Sequence, residues 1–281
     1  MDVGCLIQLN EKTVENIERF AKTYGFKSGH LCSWQMSLYT KEMAESIKKV
    51  CKENDFTITA VWCGWSGPGD WGYPEMYNTI GLVPAKWRAQ RTEDILNGAK
   101  FAEWLGVRNI ITHVDYLPDN PNDTTYIDVL QAVKKICNKI EEYGQTFLFE
   151  TGEMLPNTLL HFILGLGVEN VGINFDPSNL LTSGRSSSVE ALKRFVPYVR
   201  SMHIKDGTSP KGTDFKGKQT EVGKGEANFP ELFKILAENN FRGHLAIENE
   251  LSYITDETER EKMIVETKLY IEEIITKTYK N

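Results

Sequence analysis

Residues 146–152 read TFLFETG, and the reading of this stretch decides the fold. Thr146, Phe147, Leu148 and Phe149 have strand-forming chemistry, and an apolar run closed by glycine marks a strand buried on both faces. Glu150 stands at its carboxyl end, where a buried charge is costly unless something cationic compensates it.

Working outward, strand-like and helix-like segments alternate along the whole chain. Before residue 146, strands are expected at 3–9, 29–34, 56–63 and 109–114, with helices over 11–24, 41–53, 86–105 and 124–143. Gly25, Gly106 and Gly144 follow three of these helices, where a left-handed C-terminal residue belongs. Tyr126, Leu130, Val133, Cys137 and Ile140 mark one buried helical face. After residue 152, strands are expected at 171–175, 199–204 and 244–248, with helices over 157–166, 189–196, 230–239 and 255–276. Eight strands, each followed by a helix, fit a closed α/β (β/α)8 TIM barrel of about 250 residues. Residues 1–281 read as a single domain of that kind. An open doubly wound sheet is the competing architecture, but no GxGxxG follows the first strand and no GxxxxGK[ST] occurs.

Composition narrows the function classes. The 281 residues are 41% hydrophobic and 25% charged, values of a globular protein. A net charge of -7 argues against nucleic acid as a partner. No apolar run reaches the roughly 18 residues of a membrane span, and the first residues lack the basic start of a signal peptide. The five cysteines (Cys5, Cys32, Cys51, Cys63 and Cys137) show no CxxC spacing, which implies reduced thiols and a cytoplasmic location.

In barrels of this type, functional groups gather where the strands end. His113, Glu150, Asp176, His203 and Glu248 stand at the expected carboxyl ends of strands four to eight. Crowded together, three carboxylates would repel one another, and at least one would keep its proton. One divalent cation resolves the conflict, and a set rich in oxygen with one nitrogen suits Mn²⁺, Mg²⁺ or Co²⁺. Each residue also has a plainer reading: Asp176 before Pro177 is common turn chemistry, and Glu248 could serve in an ion pair beside Glu250. Four such coincidences on four successive strand ends weaken those readings together.

The pattern resembles a known family. FETGE (149–153), NFDPSNL (174–180), HIKDG (203–207), VGKGEANF (222–229) and AIENE (246–250) are similar to the sugar phosphate isomerase/epimerase group of xylose-isomerase-like TIM barrels. The resemblance implies that Glu150, Asp176, His203 and Glu248 hold one divalent metal ion, with Mn²⁺ the leading expectation. It implies a metal-dependent isomerase or epimerase of a small sugar, keto-sugar or polyol derivative. Glu150 and Glu248 would then be the acid/base pair of proton transfer through a metal-stabilised enediolate. A small carbohydrate is the implied partner, and the family often pairs its barrels. The alternatives are a metal-dependent lyase or hydrolase on an oxidised sugar, and a non-catalytic sugar-binding barrel. DNA repair by the related apurinic endonucleases needs a denser set of histidines than the five present, of which His30, His161 and His244 show no evident site role.

Further substrate contacts are expected from His113, Trp62 and Trp65, although core packing is the commoner role of a Trp. Asn179 stands where ketose 3-epimerases usually carry a substrate-binding histidine, which departs from a simple ketohexose epimerase. The downstream arginine of those enzymes is not evident, and Lys205 is the nearest cationic residue. Residues 64–84, with Gly64, Gly67, Gly69, Trp71 and Tyr73, are expected to lid the mouth. Lys211, Lys216, Lys218 and Lys224 in the 207–228 loop read either as contacts to an anionic substrate or as a solvated face. Glu153, beyond Gly152, is expected in substrate contact or solvent rather than on the metal.

Overall fold

A strand buried on both faces needs a bonded neighbour on each edge and helices outside it. The computed structural model, which describes residues 1–248 and 254–279, meets that need by closure. In chain order its strands are β1 (Val3–Gln8), β2 (Ser28–Ser33), β3 (Thr57–Cys63), β4 (Asn109–Thr112), β5 (Thr146–Glu150), β6 (Val171–Phe175), β7 (Val199–Ile204), β8 (Asp206–Thr208), β9 (Lys218–Thr220) and β10 (His244–Ile247). A closed barrel runs β1-β10-β7-β6-β5-β4-β3-β2, and its neighbouring strands pair in parallel. This is the α/β (β/α)8 barrel expected from the alternation.

Side chains alternate across a strand, and β5 shows the consequence. Phe149 packs outward on Phe162 of the following helix, Pro156–Leu166, at 5.8 Å between ring centroids. Leu148 joins Ala60, Trp62 and Ile111 in a separate buried cluster inside the barrel. Glu150 lies two residues beyond Leu148 and so faces the same interior. Gly106 ends the helix Ala85–Leu105 with φ of 79°, the left-handed conformation that its position predicted.

A short helix and a short ribbon are among the elements that were not expected. Asp176-Pro177 does turn the chain, but into a helix, Pro177–Thr182, in which Pro177 occupies the first turn and Asp176 is the N-cap. Six residues are too few to show a helical period. The 207–228 loop holds the antiparallel ribbon β8–β9, whose three-residue strands are likewise too short to read. Asp206 organises that loop, accepting backbone N–H bonds from Gly207 (2.8 Å), Gly223 (2.9 Å), Gly225 (3.0 Å) and Ala227 (3.0 Å).

The loop over residues 64–84 is pinned from below. Arg91, fully buried on the helix Ala85–Leu105, donates to the carbonyls of Ser66 (3.1 Å), Pro68 (2.7 Å), Thr79 (2.7 Å) and Gly81 (2.5 Å). Across the mouth, Tyr73 stacks on Phe215 at 4.5 Å, and Lys216 Nζ donates to the Trp71 carbonyl at 3.2 Å. Arg91→Lys offers one ammonium where a planar fork serves four carbonyls. It is expected to lower stability by about 2–4 kcal/mol in denaturant melts.

Candidate active site

The barrel brings four donor groups to one point. Glu150 closes β5, Asp176 follows β6, His203 lies near the end of β7 and Glu248 follows β10. All four are buried, and each offers a ligand atom within 4.8 Å of the others. His203 Nδ1 stands 3.0 Å from Glu150 Oε1 and 2.8 Å from Glu248 Oε2, and one N–H cannot serve both. Asp176 Oδ1 accepts the Asn179 amide at 2.9 Å as a helix cap. Asp176 Oδ2 has no hydrogen-bond partner among the described residues, with Lys205 Nζ standing off at 3.8 Å. Asn249 and Glu250, which end the AIENE stretch, lie outside the described residues.

Charge in this quartet is in conflict. Burial pushes the Asp176 carboxyl up to about 7; Lys205 opposes the shift, while Glu248 and Glu150 add to it. Burial also pushes the Glu248 carboxyl up, but Lys205, at 3.1 Å, and His203 reverse this and hold it well below the usual range. Burial works against the His203 imidazolium, yet Glu150 and Glu248 hold its pKa well above the ordinary value. Without a cation the quartet thus carries a proton on His203 and, below about pH 7, another on Asp176. A divalent ion replaces those two protons charge for charge. The unbonded Asp176 oxygen and the three-carboxylate, one-imidazole donor set both fit such an ion.

His30, which showed no site role in the sequence, is a correction. It is fully buried on β2, with its Nδ1 3.1 Å from His203 Nε2. Burial, then the neighbouring His203, lowers the His30 pKa well below its usual value, so its ring is neutral and can accept the His203 Nε2–H. With a divalent ion in place of the His203 proton, that bond would fix the tautomer whose Nδ1 lone pair faces the carboxylates, the arrangement a metal-ligating histidine requires.

Above the quartet opens a cavity of about 680 Å³, in the range of small-molecule sites. The expected contact residues Trp62, Trp65, His113, Asn179 and Lys205 all line it. Several also touch the quartet: Trp62 Nε1 donates to Glu150 Oε2, Asn179 Nδ2 lies 3.4 Å from Glu150 Oε1, and His113 Nε2 lies 3.6 Å from Glu150 Oε2. Trp71, from the 64–84 loop, lines the same cavity. Of the four loop lysines, Lys216 reaches the cavity wall, whereas Lys211 and Lys224 pair with Glu226 and Glu221. Of the two places expected for Glu153, substrate contact or solvent, solvent is the one that the structure removes, since Glu153 is buried in the cavity wall. It forms with His113 and Asp115 another group whose donor atoms lie within 4.8 Å of one another.

A closed parallel barrel with three carboxylates and an imidazole at its carboxyl-terminal mouth defines an α/β barrel with a candidate metal centre. Residues 19–273 match the family described as xylose isomerase-like TIM barrel, and the chain belongs to that family. It is 33% identical over 145 residues to an inosose dehydratase of Clostridium perfringens, a match covering 46% of this chain and 48% of that one. The chain thus spans about half the length of the curated relatives it matches. Among solved structures, a xylose isomerase domain protein from Planctomyces limnophilus superposes with a TM-score of 0.89 at 25% identity, covering 98% of each chain. The D-psicose 3-epimerase of Clostridium cellulolyticum H10, solved with D-tagatose, shares the fold at a TM-score of 0.71 and 15% identity, over 98% of this chain and 99% of that one.

Two outcomes follow from the quartet. A raised carboxyl binds its proton in the folded state where the unfolded chain has lost it, so Asp176 costs apoprotein stability as pH rises toward about 7. Bound metal requires Asp176 ionised, so the rise in melting temperature on adding Mn²⁺ should be larger at pH 8 than at pH 6. His30→Leu removes the acceptor for His203 Nε2–H and should weaken Mn²⁺ binding about 10–100-fold by titration calorimetry.

Proposed function

We propose that this protein is a metal-dependent enzyme that moves a proton at the carbon next to a carbonyl in a small sugar, keto-sugar or polyol derivative. The observation that carries the reading is the placement of two glutamates, Glu150 and Glu248, on either side of His203 Nδ1 at the floor of the cavity. Glu150, Asp176, His203 and Glu248 would hold one divalent ion, Mn²⁺ by preference, with Mg²⁺ or Co²⁺ also suited to the donors. When bound, that ion supplies Lewis acidity to the oxygens flanking the reacting carbon.

The chain's own groups do the rest. One glutamate removes the proton from one side of the carbon, and the other returns a proton from the opposite side or to the neighbouring carbon. The first outcome is epimerisation and the second is isomerisation. The Trp62 indole N–H holds the Glu150 carboxylate in place, and Lys205 does the same for Glu248. The wall formed by Trp34, Trp62, Trp65 and Trp71, with successive ring centroids 5.0, 5.8 and 6.2 Å apart, offers apolar faces to a sugar ring and limits water.

The match to inosose dehydratases favours a second reading of the same site, in which the first proton removal leads to loss of water from a keto-polyol. Both readings share the proton-abstraction step. Among the described residues no helix is long and apolar enough to cross a membrane, and we take the setting to be the cytoplasm.

Mn²⁺-loaded protein in heavy water, supplied with ketoses, aldoses and inososes, should incorporate deuterium into at least one of them. Glu150→Gln and Glu248→Gln should each cut that exchange by about 10²–10⁴-fold. Unchanged exchange in both variants refutes the acid/base assignment. Absence of bound Mn²⁺ by elemental analysis points instead to a non-catalytic barrel.

A further inference from the structure

Three residues past Glu150, the chain brings another carboxylate to the cavity wall. Glu153 is 5% exposed, lines the cavity with Trp71, His113 and Lys216, and its Oε2 has no hydrogen-bond partner among the described residues. Gly152 lets this turn lie flat against the loop after β4, since a Cβ there would stand 3.3 Å from His113 Cε1. In that loop Asp115 and Tyr116 take φ values of 54° and 38°, a conformation that costs a non-glycine residue energy and clusters at functional sites. His113 Nδ1 holds Asp115 in place, 3.1 Å from Oδ1 and 3.0 Å from Oδ2.

A carboxylate oxygen of Asp115 lies within 4.8 Å of one of Glu153, and two buried acids so close cannot both ionise freely. Burial, and then the Asp115 carboxylate, push the Glu153 carboxyl up to about 8, against the pull of His113 and Lys216. At neutral pH Glu153 is therefore a neutral acid with an O–H to give. The quartet carboxylates are committed to one another and to the candidate metal. Among the described residues lining the cavity, Glu153 is the carboxyl outside that set.

We propose that Glu153 is the acid that protonates a hydroxyl leaving from the carbon β to the substrate carbonyl, which makes this site a dehydratase of keto-polyols. The proposal rests on the proton-transfer reading of Glu150 and Glu248. One of those glutamates takes the proton from the α carbon. The C–H electron pair forms the new C=C bond as the β C–O bond breaks, and the departing oxygen takes the Glu153 proton and leaves as water. Each substrate gives one unsaturated ketone and one water. Exchange with solvent returns a proton to Glu153 and removes one from the base.

The test separates the two proton transfers. Mn²⁺-loaded wild type and Glu153→Gln are compared in heavy water with 2-keto-myo-inositol and D-fructose as probes. Deuterium uptake at the α carbon and loss of water are followed together. Wild type should do both on the inosose. The variant, nearly isosteric, should keep exchange within about threefold and lose elimination by about 100-fold or more. An infrared carboxylic-acid band present in Mn²⁺-loaded wild type at pH 7 should be missing from the Mn²⁺-loaded variant. Elimination that survives in Glu153→Gln, or that falls in step with exchange, overturns the role of Glu153. Wild type that exchanges without eliminating overturns the dehydratase assignment but leaves the proton-transfer reading intact. Wild type that exchanges neither probe overturns the keto-polyol assignment, and the role of Glu153 with it, and exchange with no ketose, aldose or inosose at all overturns the proton-transfer reading.

Discussion

One imidazole nitrogen held between two buried carboxylates is the constraint around which this molecule is arranged. His203 Nδ1 cannot satisfy Glu150 and Glu248 at once, and Asp176 adds a third acid with an unbonded oxygen. Charges so placed in a low dielectric would drive the strand ends apart unless something is added or a proton is retained. The neighbours divide that burden. Lys205 answers Glu248, Trp62 and His113 attend Glu150, and His30 presents a neutral ring to the far side of His203.

Holding such a site requires a rigid frame, and the barrel provides it in two layers. Strand register fixes the depth of each side chain, so that Glu150 on β5 lies opposite Asn174 on β6 and His203 on β7 opposite Ala246 on β10. The loops above are fixed by polar groups in addition to the apolar burial of Trp65, Met76 and Ile80. Arg91 gathers four carbonyls from one loop, and Asp206 gathers four amides from the other. Loops carry few apolar contacts of their own, so a single charged residue that satisfies several backbone groups is an effective way to order them. The two loops then meet through Tyr73 and Phe215, which encloses the cavity from above.

The walls of that cavity have two chemical characters. Its floor is ionic and suited to a cation. Its rim on the β4 side carries His113, Asp115 and Glu153, where burial and the neighbouring Asp115 push the Glu153 carboxyl up to about 8. Environments that push neighbouring carboxyl groups in opposite directions allow one small cavity to hold both a base and an acid.

The eight strands and the candidate ligand quartet could be read from the chain because both leave one-dimensional marks. Buried parallel strands are unbroken apolar runs, and Glu150, Asp176, His203 and Glu248 each stand at or near the end of one. His30 left no such mark, since it lies within β2 and not at its carboxyl end. Only closure of the barrel sets β2 across from β7 and brings its ring within 3.1 Å of His203. Glu153 was placed in a loop by its sequence position, and its burial depends on how closely Gly152 packs against His113. Periodicity and composition report which residues leave water, since that choice is made locally. Which buried polar groups meet, and which of them hold a proton, depends on distances across the barrel that no local pattern encodes.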